Sequence, residues 1–246
     1  MGASHRHNVF SVLLGALFLF VFTRAAQNFS LDKPTKLQLF IEMMIDFING
    51  VVKGTFKAAQ NSLIAPMALT IFFWVLLMNV MDLVPVDLIP YPAELLGIPY
   101  LKVVPTTDLN LTAALALSVF VLYLFYSIKS KGFVGFIKSI SLHPFGPWML
   151  PANLFIEIID LIAKPLSLAL RLYGNLYAGE MIFLLIAGMV SINLTSFMGL
   201  GLNLAGITLS LIWAIFHILI VVLQAFIFMM LTVVYMNMAH EKFEQH

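Results

Sequence analysis

Nearly uninterrupted apolar runs, such as Ile64 to Met81 and Leu109 to Ile128, leave this chain few folds to choose from. A hydrocarbon layer ~30 Å thick is crossed by about 20 apolar residues in a helix. The runs are continuous rather than alternating, which disfavours a β-barrel. Composition agrees: 61% of the 246 residues are hydrophobic and 10% are charged, whereas a soluble domain is about 45–50% apolar and about 25% charged. So much apolar surface does not fit one soluble core, and the expectation is an all-α integral membrane protein with roughly five to seven spans. The absence of cysteine excludes disulfides, thiolate metal sites and cysteine nucleophiles. A net charge of +1 gives no reason to expect nucleic acid.

The whole chain, residues 1–246, reads as a single membrane domain. A first helix is expected over 9–27, with Arg24 snorkelling at its end. A basic start, a short apolar stretch and small residues also describe a signal peptide. Residues 34–58 place Glu42, Asp46, Asn49, Lys53 and Lys57 near one helical face, which predicts an amphipathic helix lying in the interface. A span over 62–82 is capped by Asn61 and Ser62, and a proline-rich acidic loop over 83–108 follows. A second clear span covers 109–128 and ends at the basic stretch beginning with Lys129. The last hundred residues predict a helical hairpin, 149–187 and 204–239, turning within Gly188 to Gly206. Its first arm would be about 54 Å long, so it must tilt strongly or break, and Pro165 offers a kink. Lysine and arginine cluster in the Arg24–Lys57 and Lys129–Lys138 segments. The positive-inside rule therefore puts these segments and the C-terminus inside, with the N-terminus and the acidic loop outside.

Charges inside the hairpin need an explanation. Arg171 sits in the middle of an apolar arm, cannot give up its proton, and costs from about 3 to over 10 kcal/mol to bury. Such a cation wants an anion or a water-filled cavity. Asn175 lies one turn away on a similar face, and Glu157 shares that face about 21 Å along the axis. His217 and Gln224, seven residues apart, share a face of the return helix. In an antiparallel pair, residues at one level have a constant sum of positions. Glu180 with His217 and Arg171 with Gln224 meet this condition within two positions, and both place the turn near residue 198. Helix rotation decides whether residues at one level touch. A structural His–Glu pair would explain two of these groups, but five polar groups on two helices form the stepped set that an ion path needs. Glu and His exchange protons near neutral pH when their pKa values are shifted, amides hold water, and a fixed cation blocks a straight-through leak.

The stretches Leu168–Asn175, Ala178–Glu180, Ile215–Ile218 and Leu223–Phe228 resemble subunit a of the F-type ATP synthases. So do Leu77–Asp87, Val104–Asn110 and Pro34–Lys36. The resemblance covers nearly the whole chain and is closest to the bacterial form. It implies a non-catalytic stator subunit in the bacterial inner membrane, beside a rotating ring of c subunits and the b subunits of the peripheral stalk. No cofactor or metal is implied. Arg171 would match the arginine separating two offset half-channels. Glu180, His217, Gln224, Asn175 and Asn79 would line the outer half-channel, with Asp82, Asp87, Thr106 and Asp108 near its mouth, and Glu157 would match the carboxylate of the inner one. A proton-coupled transporter would show repeats and paired broken helices, and a membrane metalloprotease a His-Glu-x-x-His motif; the sequence has neither.

Overall fold

The fold is described from a computed structural model covering residues 2–31, 33–55, 63–83, 105–142, 145, 147–190 and 197–240. Among these residues there are six α-helices and no strand. They are α1 (Gly2–Gln27), α2 (Lys36–Thr55), α3 (Ile64–Val80), α4 (Leu109–Leu142), α5 (Leu150–Val190) and α6 (Phe197–His240), with short 3-10 turns at Met81–Leu83, Pro105–Thr107 and Pro147–Met149. Four stretches are long and apolar enough to cross a membrane: Phe10–Gln27, Ile64–Leu83, Leu109–Ser141 and Gly199–His240. The chain is an all-α membrane protein. Helix α5, with 41 residues, would span about 62 Å.

The helix ends are set by local chemistry. Thr35 caps α2, its Oγ1 accepting from the Gln38 amide at 3.2 Å, so Pro34 stands just before the helix. Asn61 and Ser62, expected to cap α3, lie outside the described residues. Asp108 caps α4, its Oδ1 accepting from the Asn110 amide at 2.9 Å. Helix α1 begins seven residues before the apolar run does.

The span expected over 109–128 does not stop at the basic stretch. Lysines there extend the helix, and the break comes at Gly132, whose φ of 72° and ψ of 161° divide α4. Only glycine adopts that conformation readily. Replacing Gly132 with alanine should cost on the order of 1–3 kcal/mol, read as a lower melting temperature of the purified protein.

The hairpin arms are longer than the sequence suggests. Helix α6 starts at Phe197 rather than 204, because Gly199, Gly201 and Gly206 are absorbed into it. Helix α5 stays helical through Pro165, so tilt rather than a break is left to fit it to a bilayer.

Packing is densest between α4 and α5, α3 and α6, and α5 and α6. The core is built from Ala68, Met78, Leu172, Leu176, Val221, Ala225 and Met229, all inaccessible. Large apolar side chains face outward on α1, α5 and α6, with Leu185 73% and Leu211 63% exposed, as lipid- or partner-facing helices require.

Polar clips hold the helix ends that lie away from the hairpin turn. Asn153 donates to the Ser141 carbonyl at 3.2 Å and accepts from the Phe145 amide at 3.0 Å, tying the start of α5 to the end of α4. Lys164 of α5 pairs with Asp160 at 2.6 Å and lies 4.9 Å from the centre of the Tyr123 ring on α4. Lys131 and Ser130 of α4 reach the last carbonyls of α6, at Met238 and His240, groups that a helix end leaves without partners.

Candidate functional site

Residues four apart on α5, namely Arg171, Asn175, Gly179 and Phe183, fall on one face about 6 Å apart along the axis. The antiparallel α6 presents Gln224, His217 and Trp213 to that face, and the seam between the helices becomes a stack of layers. In the layer nearest the hairpin turn, the Phe183 and Trp213 rings meet edge to face, centroids 6.4 Å apart. The Trp213 indole N–H donates to the Gly179 carbonyl at 3.3 Å.

The next layer holds His217, which is fully buried. Its Nε2 lies 2.7 Å from Oδ2 of Asp82, whose side chain is 8% exposed. Phe183 packs edge to face on the imidazole at 5.4 Å. On the α5 side the ring fills the space over Gly179, where a Cβ would stand 2.5 Å from Cε1 and 2.7 Å from Nδ1 of His217. The third layer is an amide pair in which Asn175 Nδ2 donates to Gln224 Oε1 at 2.7 Å. Beside it, Asn79 of α3 is fully buried and donates to the Val221 carbonyl at 3.4 Å. The fourth layer is Arg171, half-buried and without an ion pair among the described residues.

The stack thus runs from an aromatic layer through an imidazole–carboxylate pair and an amide pair to a permanent cation. A buried imidazole in hydrogen-bond contact with a carboxylate can take and pass a proton. Among the described residues no group of three or more His, Asp or Glu could hold a metal ion.

The model of the ATP synthase A chain family matches residues 8–237. The chain is 57% identical to ATP synthase subunit a of Shewanella amazonensis over 234 residues, covering 95% of this chain and 86% of that protein. It is 57% identical to the Shewanella baltica subunit over 233 residues, 94% and 86% of the two chains. The Shewanella loihica subunit is 58% identical over the same shares. The chain belongs to the ATP synthase subunit a family. As a member, it is a component of the proton-translocating Fo membrane sector of the F-type ATP synthase.

Within this subunit a fold Glu180 lies one residue from the His217 level, as expected, whereas Gln224 meets Asn175, one turn from Arg171, and the rotation left open by the sequence turns Glu180 away from the imidazole. Glu180 was levelled with His217 and is indeed adjacent in height. One residue on from Gly179, it points about 100° away around α5, and the carboxylate on His217 comes instead from Asp82. Glu180 is half-buried and forms no ion pair among the described residues.

The other expected site residues are spread along the molecule. Thr106 is fully buried, with no partner for its hydroxyl among the described residues, on a 3-10 turn packed against α1, α3, α4 and α5. Asp108, half-buried, is engaged as the α4 cap. Glu157 is half-buried in the N-terminal part of α5. Asp87 lies outside the described residues. Sequence reasoning missed Gly179, Phe183 and Trp213. Their signal was present: Trp213 lies one turn from His217, Phe183 one turn from Gly179, and each pair satisfies the same register.

Proposed function

We propose that this chain is the stator that loads and unloads the carboxylates of a rotating c-subunit ring through two offset half-channels, with Arg171 between them. The His217–Asp82 pair, buried in the seam and two layers from Arg171, carries this reading. The outer half-channel would comprise Asp82, Asp87, Thr106 and Asp108 toward its mouth, and His217, Glu180, Asn79, Asn175 and Gln224 further in. Glu157 would serve the inner one. The b subunits of the peripheral stalk would hold the chain still. It would lie in the bacterial inner membrane with its N-terminus outside and its C-terminus in the cytoplasm, and the ATP chemistry would belong to other subunits.

The physical sequence follows from charge. A proton taken up at Asp82 and His217 passes along the seam and neutralises a ring carboxylate. The neutral site can enter lipid, where an ionised one is prohibitively costly. After most of a turn it meets the inner half-channel near Glu157 and ionises. The carboxylate then passes Arg171, which favours its charged form. Each charge crossing the membrane yields about 2.3 kcal/mol per ~100 mV. Arg171 must hold each carboxylate only transiently, and its lack of an ion pair among the described residues suits that role.

Asp82→Asn tests the reading. The variant keeps the shape and removes the proton-accepting carboxylate from His217. ATP-driven acidification of inverted vesicles should slow by about tenfold or more, the scale of a lost general acid–base group, while the subunit stays in the purified complex. A normal pumping rate would remove the His217–Asp82 pair from the path.

A further inference from the structure

Helix α4 has two opposite faces. Thr112, Ala116, Val119, Tyr123 and Ser127 are buried against the rest of the molecule. At the helical period, Ala114, Ser118, Val121, Phe125 and Lys129 form a row on the other side, and each of them is exposed. The first part of this row is an open groove of about 500 Å³, lined by Ala114, Leu117, Ser118, Val121 and Leu122. Its one hydroxyl is engaged on its own helix, since Ser118 donates to the Ala114 carbonyl at 2.8 Å. The groove therefore offers hydrocarbon contact and no free donor. Phe125, 57% exposed, stands between the groove and Lys129. The Lys129 ammonium lies 5.9 Å from the centre of that ring, a contact that holds the charge on the row of the groove and leaves its N–H donors for an oxyanion. No carboxylate answers this charge from its own helix, because α4 carries Lys129, Lys131 and Lys138 and no Asp or Glu. Lys131 reaches the Met238 carbonyl, whereas Lys129 and Lys138 are exposed.

The spacing along the row fits a lipid. Lys129 and Ser118 are about 16 Å apart along the axis, and one leaflet contributes about half of a hydrocarbon layer ~30 Å thick. A phosphate held at Lys129 thus brings the distal part of its acyl chain level with the groove. We propose that the exposed face of α4 binds an anionic phospholipid, with its phosphate on Lys129 and one acyl chain bent past Phe125 into the groove at Ala114–Leu122. A helix of another subunit fits this face less well. Helices approach closely over small residues such as Ala114 and Ser118, but the Phe125 ring stands out of the same row and blocks a straight rod, while a flexible chain passes it. The site uses no residue of the α5/α6 seam, so it stands or falls separately from the half-channel reading.

The test uses the assembled complex in phosphatidylcholine vesicles that carry a trace of phosphatidylglycerol with a diazirine near the end of one acyl chain. After irradiation, adducts on this chain are located by peptide mapping. Adducts are expected at residues 114–122, and the same diazirine chain on phosphatidylcholine should give about fivefold fewer. Lys129→Gln should lower the phosphatidylglycerol adducts about fivefold, the weight of one lysine at an anionic surface, and Lys129→Arg should keep them. Ser118→Leu fills the groove and should lose the adducts with Lys129 still in place. If that variant does not assemble, Ala114→Val takes its place with the same expectation. Equal labelling by the two lipids, or unchanged labelling of Lys129→Gln, would overturn the proposal. So would a parent complex without adducts on α4, or labelling abolished by inorganic phosphate, which would give the ammonium to a free anion. A groove-filling variant that loses another subunit from the complex would assign the face to that subunit's helix and overturn the proposal as well.

Discussion

Arg171→Ala is expected to abolish ATP-driven acidification of inverted vesicles while the subunit still copurifies with the complex. Arg171 is half-buried on α5, at the inner end of a stack whose other layers are uncharged or internally paired. Its guanidinium is the one group in that stack that cannot be neutralised by a proton shift. On the half-channel reading proposed above, removing it takes away the charge that favours ionisation of a ring carboxylate, and also the barrier between the two half-channels. Passive proton permeability should therefore rise as driven pumping disappears. Arg171→Lys keeps a cation but loses the planar fork, and should recover little. Pumping at the parental rate by the alanine variant would make the arginine structural.

Gly179→Val is the second large effect. A Cβ at this position would stand 2.5 Å from the imidazole, closer than any tolerable contact, so His217 must move. Moving it breaks the 2.7 Å bond to Asp82 and leaves a buried carboxylate without its partner, a loss of about 1–3 kcal/mol or more for a charged group. Pumping should fall to the level of a variant that lacks the imidazole, and Gly179→Ala should fall part of the way. Acidification and ATP hydrolysis measured on one preparation separate a broken path from a lost complex. Full activity with valine would show that His217 is not gripped by the seam.

Periodicity and charge were sufficient for an all-α membrane fold and for the level of Glu180 beside His217, but not for every helix end or for the level of Arg171. The register placing Glu180 with His217 and Arg171 with Gln224 is within a turn of the contacts seen. What a position sum cannot encode is rotation about a helix axis. One residue's turn separates Glu180 from Gly179, and it decides that the imidazole meets a glycine there and takes its carboxylate from the 3-10 turn that follows α3. Asp82 lies 135 residues from His217 in sequence, so no spacing rule on the hairpin could have joined them. The lysines at 129 and 131 were read as a stop, yet a basic pair extends a helix as well as it ends one, and the break waits for the positive φ of Gly132. The aromatic layer escaped notice because phenylalanine and tryptophan in an apolar helix look like ordinary packing until a neighbour shows what they cover.

The clips at the inner end of the hairpin have a mechanical meaning. If Arg171 meets ring carboxylates as proposed above, each one drawn past it pulls sideways on α5, and a free helix would swing with it. Asn153 fastens the root of α5 to Ser141 of α4 and to Phe145 just beyond it, by one hydrogen bond each. Higher on the same arm, Lys164 is locked to Asp160 and rests on Tyr123 of α4. These two points brace α5 like a beam held at its foot and again partway up. The sideways force is then passed to α4, and the cation keeps its distance from the moving ring while the ring turns.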